Sequence, residues 1–539
     1  MTQWNLAECL DAVAEIRGDA VALVQGSRRL GWSQVERRAS NLAAWMLEQG
    51  ASHQAKVALY TYNHPAYMEG VWAAMKAALA PVNVNYRYRA EELRYLLENA
   101  DAEFVIVHED FAPLLANVRG DLPKLRAVLV VREPGSSTSA QALGGADYET
   151  VANTDRTLPE VTRSGDDLLL LYTGGTTGMP KGVMWRQHDL YFRFAGGGLL
   201  PPPVDMPALR DFVRDAPLRL STLVAPPLMH GTGWFTAMIA WLTGGSVLML
   251  DDPKRFDPAD LWGVVTREKP SSVTIVGDSF AKPMVRELAA AGARYDLSSL
   301  KLIASSGVMW SEETKQALLA ANPQLMLIDS FSSSEAVGMG MSVTTAAGAV
   351  QTARFRLGAN TRLFDETLQP LATAPGVKGL VGVGGPQPVG YYKDEAKSAR
   401  TFVTVADARF SIPGDWAVVN DDGVTLTLLG RGSVCINTGG EKVFPEEVEE
   451  AIKRYAGVKD VVVVGVPDEK WGEAITAVVS AQPPGLDADA LIDFVKQELA
   501  SYKAPKHVVF VDEVYRSPSG KADFKRTREV ALAALGLGS

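Results

Sequence analysis

Short apolar runs alternate with longer amphipathic segments through most of the first 330 residues, and this alternation limits the possible folds most strongly. Apolar runs lie at Lys56–Tyr60, Ala127–Val131 and Ser221–Val224, for example. Segments with helical periodicity, such as 66–78 and 258–269, separate these runs. Strands that are buried on both faces and joined by helices form parallel sheets. The sequence therefore predicts an α/β fold built from βαβ units.

The pattern changes twice after about residue 350. Glycine and valine become dense at 376–390 and helical periodicity fades, which predicts a small antiparallel, β-barrel-like subdomain. After Gly430 the sequence predicts a compact α+β unit of roughly 100 residues. Its first helix begins at Pro445, because proline favours the first helical position and acidic residues follow it. The other predicted elements of this unit are strands at 460–466, 474–481 and 507–511 and a helix at 487–499.

Charge and cysteine content argue against several classes of protein. The 539 residues include 53 Lys and Arg against 63 Asp and Glu, a formal charge of −10, so no general basic surface for nucleic acid is expected. The two cysteines, Cys9 and Cys435, are too few for a disulfide scaffold or a multi-cysteine zinc module. They fit a reducing compartment. We therefore expect a cytoplasmic protein with more than one domain.

One uncharged stretch raises the question of a membrane span. Residues 233–250 carry no charge over 18 positions, which is long enough to be tested as a spanning helix. Gly244 and Gly245 interrupt the stretch, however, so a buried helix at 234–243 followed by a buried strand at 246–250 is favoured. The N-terminus has no basic segment before an apolar core, and no signal peptide is predicted.

A glycine-rich loop after a buried strand gives the strongest chemical signal. The apolar run 168–172 leads into Thr-Gly-Gly-Thr-Thr-Gly-Met-Pro-Lys-Gly at 173–182. Glycines let backbone N–H groups converge on an anion, while the hydroxyls and the lysine add donors, so phosphate is the expected ligand. The alternative is a tight solvated turn. The loop is not a Walker A motif, because Pro180 precedes Lys181 and Gly182 stands where Ser or Thr is required.

This loop resembles the signature of the adenylate-forming superfamily of acyl-CoA synthetases, luciferases and nonribosomal adenylation domains. The family signature reads Tyr-Thr-Ser-Gly-Thr-Thr-Gly-x-Pro-Lys-Gly, and this chain departs from it only at Gly174. The resemblance implies ATP as a ligand. It also implies that Thr177 is both a catalytic residue and a metal ligand. The implied phosphate contacts are Thr173, Gly174, Gly175, Thr176, Thr177, Gly178 and Lys181. Further motifs follow in the family's order across almost the whole chain.

Two of these motifs resemble loops of the nucleotide and acyl sites. Ala-Pro-Pro-Leu-Met-His at 225–230 implies that His230 is a catalytic residue on the acyl side, although a lone histidine is usually structural. Asp-Ser-Phe-Ser-Ser-Ser-Glu at 329–335 implies that Phe331 stacks near adenine, Ser334 meets phosphate and Glu335 binds Mg²⁺. A carboxylate oxygen suits a hard divalent ion. The other implied nucleotide contacts here are Ser306, Gly307, Asp329 and Ser330.

The nucleotide site is implied to continue toward a domain boundary. Phe-Ser-Ile-Pro-Gly-Asp at 410–415 resembles the motif whose aspartate, here Asp415, binds the ribose hydroxyls. Gly-Arg-Gly-Ser at 430–433 resembles the family's hinge, so Arg431 would bind nucleotide and Ser433 would be the pivot. The resemblance thus implies an AMP-binding adenylation domain at 1–432 and a small mobile domain at 433–539.

Two motifs of the small domain would serve the two steps of the reaction. Thr-Gly-Gly-Glu-Lys at 438–442 resembles the loop that lines the pantetheine tunnel, which implies CoA contacts from Gly439, Gly440 and Lys442. The segment 516–521 resembles the closing motif, whose lysine, here Lys521, reaches the acyl carboxylate and the α-phosphate. In relatives the small domain rotates between adenylation and thioester formation, so Lys521 and the Gly439 loop would act in turn.

The acid that is activated is less constrained by the sequence. The chain resembles the actinobacterial FadD-type ligases of fatty acids and steroid side chains, in motifs such as Val-Asn-Val-Asn-Tyr-Arg at 82–87. Candidate acyl-pocket residues are His230, Trp234, Asp278, Val308 and Met309. Asp278 could instead cap the helix that begins near Phe280. We expect an ATP-dependent acyl-CoA ligase that releases AMP and pyrophosphate, and a homodimer is one assembly open to it. The alternatives are transfer of the acyl group to a carrier protein or another acceptor, and a non-catalytic nucleotide-binding relative.

Overall fold

The computed structural model describes residues 3–173, 179–195, 200–216, 219–307, 310–348, 354–431, 436–443, 445–481, 485–515 and 523–537. Backbone proximity divides the chain into two compact units. The first unit comprises residues 1–86, 94–172 and 182–429, and the second comprises residues 87–93, 173–181 and 430–539.

Helices occur in both units. They are α1 Leu6–Arg17, α2 Trp32–Glu48, α3 Pro65–Lys76, α4 Ala90–Asn99, α5 Ala112–Arg119, α6 Tyr148–Asn153, α7 Gln187–Phe194, α8 Met206–Asp215, α9 Gly231–Leu242, α10 Pro258–Glu268, α11 Gly277–Ala291, α12 Glu312–Ala321, α13 Glu395–Thr401, α14 Pro445–Lys453, α15 Ala488–Glu498 and α16 Phe524–Ala534. Side-chain caps start several of them. Asp257 accepts a hydrogen bond from the Ala259 N–H and Ser311 accepts one from the Thr314 N–H, as expected for residues at the N-cap of a helix.

Strands occur along the whole chain, and in its first half they alternate with these helices. They are β1 Val21–Gln25, β2 Arg28–Gly31, β3 Lys56–Tyr60, β4 Ala80–Asn83, β5 Ala102–His108, β6 Ala127–Val131, β7 Ala146–Asp147, β8 Leu168–Thr173, β9 Lys181–Arg186, β10 Ser221–Val224, β11 Ser246–Leu248, β12 Ser272–Ile275, β13 Leu302–Ser306, β14 Met326–Phe331, β15 Gly340–Thr344, β16 Arg354–Leu357, β17 Thr361–Phe364, β18 Pro370–Leu371, β19 Lys378–Val383, β20 Gly390–Tyr391, β21 Phe402–Val405, β22 Ala408–Ser411, β23 Asp415–Val419, β24 Thr425–Arg431, β25 Ile436–Thr438, β26 Glu441–Val443, β27 Val458–Asp468, β28 Gly472–Ala481 and β29 His507–Val511.

Two sheets organise the first unit. One runs in the order β20-β9-β8-β4-β3-β5-β6-β7, and β4 pairs in parallel with both β3 and β8. The other runs β18-β17-β19-β23-β24-β16-β15-β14-β13-β12-β10-β11-β1-β2, with β21 and β22 attached at β19. The predicted α/β architecture with parallel sheets is therefore confirmed.

Strand β14 is the point where the long sheet changes character. It pairs in parallel with β13 and antiparallel with β15, and the pairs from β15 to β18 that the structure describes are antiparallel. The antiparallel region predicted after residue 350 thus continues the parallel sheet through backbone hydrogen bonds. Its own core contains Phe331, Phe355 and Leu363.

Large aromatic side chains fill the core beneath the helices. Trp32, Trp72 and Trp241 are fully buried and their rings meet pairwise, with centroids 5.3–6.0 Å apart. Trp241 belongs to α9, which occupies the uncharged stretch for which a buried helix was predicted, and β11 follows it. Of the residues that the structure describes, none form a helix long and apolar enough to cross a membrane.

The second unit has its own sheet and core. The sheet runs β26-β25-β28-β27, and β29 pairs in parallel with β28. Helices α14 and α15 pack their apolar residues, among them Val448, Ile452 and Leu491, against one face of this sheet. Ala531 of α16 belongs to a separate buried cluster, which also includes Val462 and Val478 of the sheet. This is the small α+β unit that the sequence predicts.

Candidate active site

The carboxyl ends of three adjacent strands of the long sheet are tied together by serine side chains. The Gly277 N–H, just after β12, donates to Ser305 Oγ of β13 at 2.9 Å. Ser306 Oγ in turn donates to the Ser330 carbonyl of β14 at 2.8 Å. In open parallel sheets, ligands bind outside the carboxyl ends of the strands. The predicted nucleotide contacts Ser306, Gly307, Asp329 and Ser330 therefore lie side by side at the edge where a ligand is expected.

Glu335, the predicted metal ligand, lies in the loop between β14 and β15 and is buried. Three groups from distant parts of the sequence hold this loop. The Tyr391 hydroxyl donates to Glu335 Oε1 at 2.9 Å, and Ser411 Oγ donates to the Glu335 carbonyl at 2.6 Å. The Trp185 indole N–H donates to the carbonyl of Ser334 at 2.9 Å. The loop backbone is thus held at Ser334 and Glu335, and one oxygen of the acidic side chain is held by Tyr391.

Sequence analysis did not assign roles to Trp185, Tyr391 or Ser411. Tyr391 is 56 positions from Glu335 and sits in the short strand β20, so no local motif connects the two residues. Ser411 belongs to the segment 410–415 that was singled out for Asp415, yet its contact is with Glu335. Asp415 itself begins β23.

Asp329 forms a buried pair with a lysine. Its Oδ2 lies 3.4 Å from Lys315 Nζ, and both side chains are less than a tenth exposed. Burial raises the pKa of the Asp329 carboxyl to about 6, although the neighbouring Lys315 ammonium lowers it. The ring of Phe331, which was predicted to stack near adenine, packs against Phe355 with the ring centroids 5.6 Å apart.

His230 occupies the N-cap position of α9, and its side chain makes no capping hydrogen bond. The preceding loop is ordered by its own backbone, since the His230 N–H donates to the Pro227 carbonyl at 3.1 Å. Trp234, one turn into α9, is buried between Phe194 and Phe235. Its indole N–H has no hydrogen-bond partner in the described part of the chain. The predicted acyl-side residues His230 and Trp234 thus lie on one helix start.

The structure excludes one of the two roles left open for Asp278, the cap of its own helix. The helix thought to begin near Phe280 begins at Gly277, so Asp278 lies inside its first turn and does not cap it. Its Oδ1 accepts from the Ser311 N–H at 3.0 Å, from Ser311 Oγ at 3.0 Å and from Thr314 Oγ1 at 2.8 Å. Asp278 therefore holds the start of α12, a helix more than 30 positions away. The negative charge also suits a helix N-terminus.

In the second unit, the predicted CoA contacts form a tight hairpin. β25 and β26 pair antiparallel, Lys442 opposite Asn437, and Gly439 and Gly440 make the turn with φ of 58° and 83°. Two consecutive left-handed residues are what a two-residue hairpin turn needs, and glycine adopts them without strain. The Gly439 N–H also donates to the Trp471 carbonyl at 2.7 Å, which ties the turn to the start of β28.

The structure describes the phosphate loop only near its two ends, and the closing motif at 516–521 lies outside the described residues. Thr173 ends β8, Lys181 begins β9 and Arg431 ends β24. The predicted site residues that lie outside the described residues are Gly174, Gly175, Thr176, Thr177, Gly178, Val308, Met309, Ser433 and Lys521. Among the residues that are described, no cluster of three or more His, Cys, Asp or Glu side chains could hold a metal ion.

Comparison with known proteins identifies the family. Residues 10–392 match the AMP-binding enzyme family, and residues 447–521 match the AMP-binding enzyme C-terminal domain. A relative from Mycobacterium tuberculosis, named medium/long-chain-fatty-acid--CoA/3-oxocholest-4-en-26-oate--CoA ligase, is 38% identical over 97% of this chain and 96% of its own length. A 3-oxocholest-4-en-26-oate--CoA ligase from Rhodococcus rhodochrous is 36% identical over 97% of this chain and 95% of its own.

Solved structures share the fold along the whole chain. The amide bond synthetase McbA from Marinactinospora thermotolerans superimposes with a TM-score of 0.79 at 22% identity, covering 97% of this chain and 99% of that one. An o-succinylbenzoate CoA synthetase from Bacillus subtilis gives a TM-score of 0.75 at 19% identity, covering 97% and 98%. At these identities the likeness concerns the fold.

These matches define the class of protein: the chain belongs to the AMP-binding enzyme family. More particularly, it is an acid–CoA ligase of the AMP-forming type, which uses ATP and CoA.

Proposed function

We propose that this ligase activates an apolar carboxylic acid, either a fatty acid or a steroid side-chain acid, and delivers it as the acyl-CoA. The observation that carries this proposal is the full-length similarity to ligases named for medium/long-chain fatty acids and 3-oxocholest-4-enoate, at 36–38% identity. The aromatic residues Trp234 and Phe235 in the first turns of α9, which pack with Phe194 of α7, support an apolar acyl group.

In the first half-reaction the acid carboxylate attacks the α-phosphate of ATP and pyrophosphate leaves. The protein's part is to position the reactants and to stabilise charge. We assign the pyrophosphate to the loop 173–182 and the α-phosphate to Lys521. Asp415 and Arg431 would hold the ribose side of the nucleotide, and Ser306, Gly307, Asp329, Ser330 and Phe331 would line the adenine side.

Glu335, together with Thr177, would hold a magnesium ion beside the phosphates. A buried carboxylate whose loop is fixed by Tyr391, Ser411 and Trp185 fits a hard cation, which prefers oxygen ligands and tolerates little movement. Such an ion would supply positive charge beside the phosphate oxygens.

In the second half-reaction the CoA thiol attacks the acyl-adenylate and AMP leaves. We propose that the domain 433–539 rotates about Ser433 between the steps, which withdraws Lys521 and brings Gly439, Gly440 and Lys442 to the pantetheine chain. His230 would lie on the acyl side of the bond that is exchanged. We also propose a cytoplasmic location, which the two cysteines of the sequence support.

A mass-spectrometric endpoint assay tests the proposal. Purified protein, ATP and magnesium are mixed with fatty, branched, aryl and steroid-side-chain acids, each with and without CoA. We expect AMP and an acyl-CoA with the fatty or steroid acids, and no acyl-CoA without CoA. An acyl-adenylate that never becomes a thioester would move the second step to another acceptor. AMP formed only with aryl acids would contradict the proposed substrate class.

A further inference from the structure

Two buried asparagines lie between the two sheets of the first unit, next to the loop that carries His230. Asn83 is the last residue of β4, and Asn63 lies between β3 and α3. Both side chains are less than a tenth exposed, at 6% and 8%. Buried amides persist where their donors and acceptors are satisfied, so their partners show what they hold.

Asn83 bonds to two separate segments with one carboxamide. Its Nδ2 donates to the Tyr172 carbonyl at 2.9 Å and to the Met229 carbonyl at 2.6 Å. Its Oδ1 accepts from the Tyr172 N–H at 2.5 Å. Tyr172 is the residue of β8 that precedes Thr173, where the predicted phosphate loop begins, and Met229 precedes His230. Asn83 therefore connects the entrance of the phosphate loop to the histidine loop.

Asn63 holds only the second of these segments. Its Nδ2 donates to the carbonyls of Pro226 at 2.9 Å and Val224 at 3.3 Å, and its Oδ1 accepts from the Leu228 N–H at 2.7 Å. The loop from Val224 to Met229 is thus fixed at both ends, by the side chains of Asn63 and Asn83. Only Asn83 also reaches the strand that enters the phosphate loop.

We propose that Asn83 is a positioning residue of the ligase reaction, which holds the phosphate-binding and acyl-binding loops in one fixed register. This inference rests on the proposed function. Transfer between a carboxylate and an α-phosphate requires both substrates to be aligned closely, and a shift of about 1 Å costs much of the rate. Asn83 connects the backbone of β8, one residue before the phosphate loop, to the backbone of the loop that carries His230.

The chemistry of the side chain explains why an amide stands there. Two carbonyl groups need donors and one N–H needs an acceptor, and an uncharged carboxamide supplies both. An aspartate of the same shape would face the Tyr172 and Met229 carbonyls with an oxygen that cannot donate. An apolar residue would leave all three backbone groups without this partner.

The experiment compares three substitutions of buried asparagines by aspartate. N83D changes the residue that joins both loops, and N63D changes the one that holds the histidine loop alone. N41D is the matched control, because Asn41 is also buried and also bonds through both ends of its amide, to the Ala152 carbonyl at 2.8 Å and the Arg156 N–H at 3.0 Å, among helices α2 and α6. N83S removes the amide without adding charge, in case N83D does not fold.

For each protein the KM for ATP and the KM for the acid are measured by pyrophosphate exchange, and the Tm is recorded with and without ATP. We expect N83D or N83S to raise both KM values by about tenfold or more. N63D should raise the KM for the acid alone. N41D should lower the Tm while both KM values stay within about twofold of the wild type.

Two results would overturn the inference. In one, the Asn83 variants behave as N41D does, with a lower Tm and unchanged KM values. In the other, they raise the KM for the acid alone, as N63D does, so that no connection to the phosphate loop exists. A wild type that activates none of the acids would instead count against the proposed function. The increase in Tm on addition of ATP would then still show whether the Asn83 variants bind ATP as the wild type does.

Discussion

At the scale of single residues, the candidate site depends on how buried acids are partnered. Glu335 keeps an orienting hydroxyl on one oxygen, which leaves it able to meet a cation with the rest of its carboxylate. Asp329 pairs with Lys315, and the pKa of its carboxyl is raised. Asp278 accepts hydrogen bonds at the start of α12. Three acids at one sheet edge therefore have three different partners, and those of Glu335 and Asp329 each lead to a prediction.

Loss of the Tyr391 hydroxyl should weaken the proposed magnesium site. In Y391F the Glu335 carboxylate loses a buried hydrogen bond, and bonds to charged groups contribute about 1.5–3 kcal/mol. We expect the magnesium concentration for half-maximal adenylation to rise by roughly tenfold or more. Y392F is the matched control, since the neighbouring hydroxyl donates to Asp101 at 2.7 Å and does not contact Glu335. An unchanged magnesium dependence in Y391F would refute the positioning role.

The raised pKa of Asp329 predicts a pH dependence of folding. Between about pH 4 and pH 6 the folded protein holds a proton that the unfolded chain has released, because burial raises the pKa to about 6. The contribution of this group to the free energy of unfolding therefore falls as the pH rises through that window, by up to roughly 3 kcal/mol. In D329N this component should be missing from urea denaturation curves measured between pH 4 and pH 7.

The exposed Asp365 supplies a control of opposite sign. Hydrogen bonds from the Gln369 N–H, the Thr367 hydroxyl and the Thr367 N–H lower the pKa of its carboxyl. Its stabilisation is therefore present above the unfolded pKa and is lost as the pH falls. The difference between wild type and D365N should accordingly shrink on acidification, whereas that between wild type and D329N should change in the other direction. Parallel curves for wild type and D329N would contradict the assignment.

The candidate site residues that sit in motifs could be named from the sequence, whereas their structural partners could not. Glu335 and His230 were named because a short segment around each is recognisable. Tyr391, Ser411, Asn63 and Asn83 act through contacts between residues 56 to 165 positions apart, which no local pattern records. Of the two roles left open for Asp278, the cap of its own helix is not formed, and the helix start that Asp278 does hold is remote in sequence.

At the scale of elements, the hairpin β25–β26 links geometry to a single step of the reaction. A Cβ atom on Gly439 would lie 2.8 Å from the Trp471 ring, and its φ is 58°, so G439A is strained in two ways. If this hairpin lines the CoA site, G439A should slow thioester formation from supplied acyl-adenylate by about tenfold or more while adenylation is nearly unchanged.

Gly457 allows the strain to be separated from the function. Its φ is 93° and an added Cβ would lie 2.8 Å from Leu486 Cδ2, also in the second unit. G457A should therefore lose a similar stability, on the order of 1–2 kcal/mol, without slowing thioester formation. Equal slowing of the second step in both variants would show that strain in this unit, and not the hairpin itself, is responsible.

Elements with strong periodicity were predicted well, and those with weak periodicity were not. The parallel strands and their helices follow the sequence closely, as at β6, because a buried strand in a parallel sheet must be apolar throughout. The strand expected at 246–250 ends at Leu248, yet Met249 and Leu250 remain buried, so burial alone overestimated its length. Two-residue strands such as β20 carry no pattern that a sequence could display.

At the scale of the whole molecule, the two half-reactions should be separable by mutation. We expect K521A to lower the rate of adenylation by about 10²-fold or more, because one preorganised charge near a reacting phosphate contributes that much. Thioester formation from supplied acyl-adenylate should be spared. K459A is the control, since Lys459 is an exposed lysine of the second unit with a distant ion-pair partner at 3.9 Å. Equal losses in both steps would contradict the proposed division of labour.

The overall class of the fold was predictable because alternation and composition are properties of the whole chain. Two features were not. The antiparallel region was expected as a small subdomain of its own. In the structure, the pairing of β14 with β15 joins it to the parallel strands in one continuous sheet. Which strands neighbour each other depends on contacts far apart in sequence, as in the parallel pair of β1 and β11.

The mixed pairing of β14 has a consequence for how such an enzyme can change over time. The turns at 365–369 and 420–425 lie on the antiparallel arm, several strands away from β12–β14 in the order of the sheet. Insertions there leave the serine contacts at the carboxyl ends of β12, β13 and β14 in place. Lineages can therefore acquire new surface segments on this arm, and with them new neighbours in the cell, while the chemistry is inherited intact.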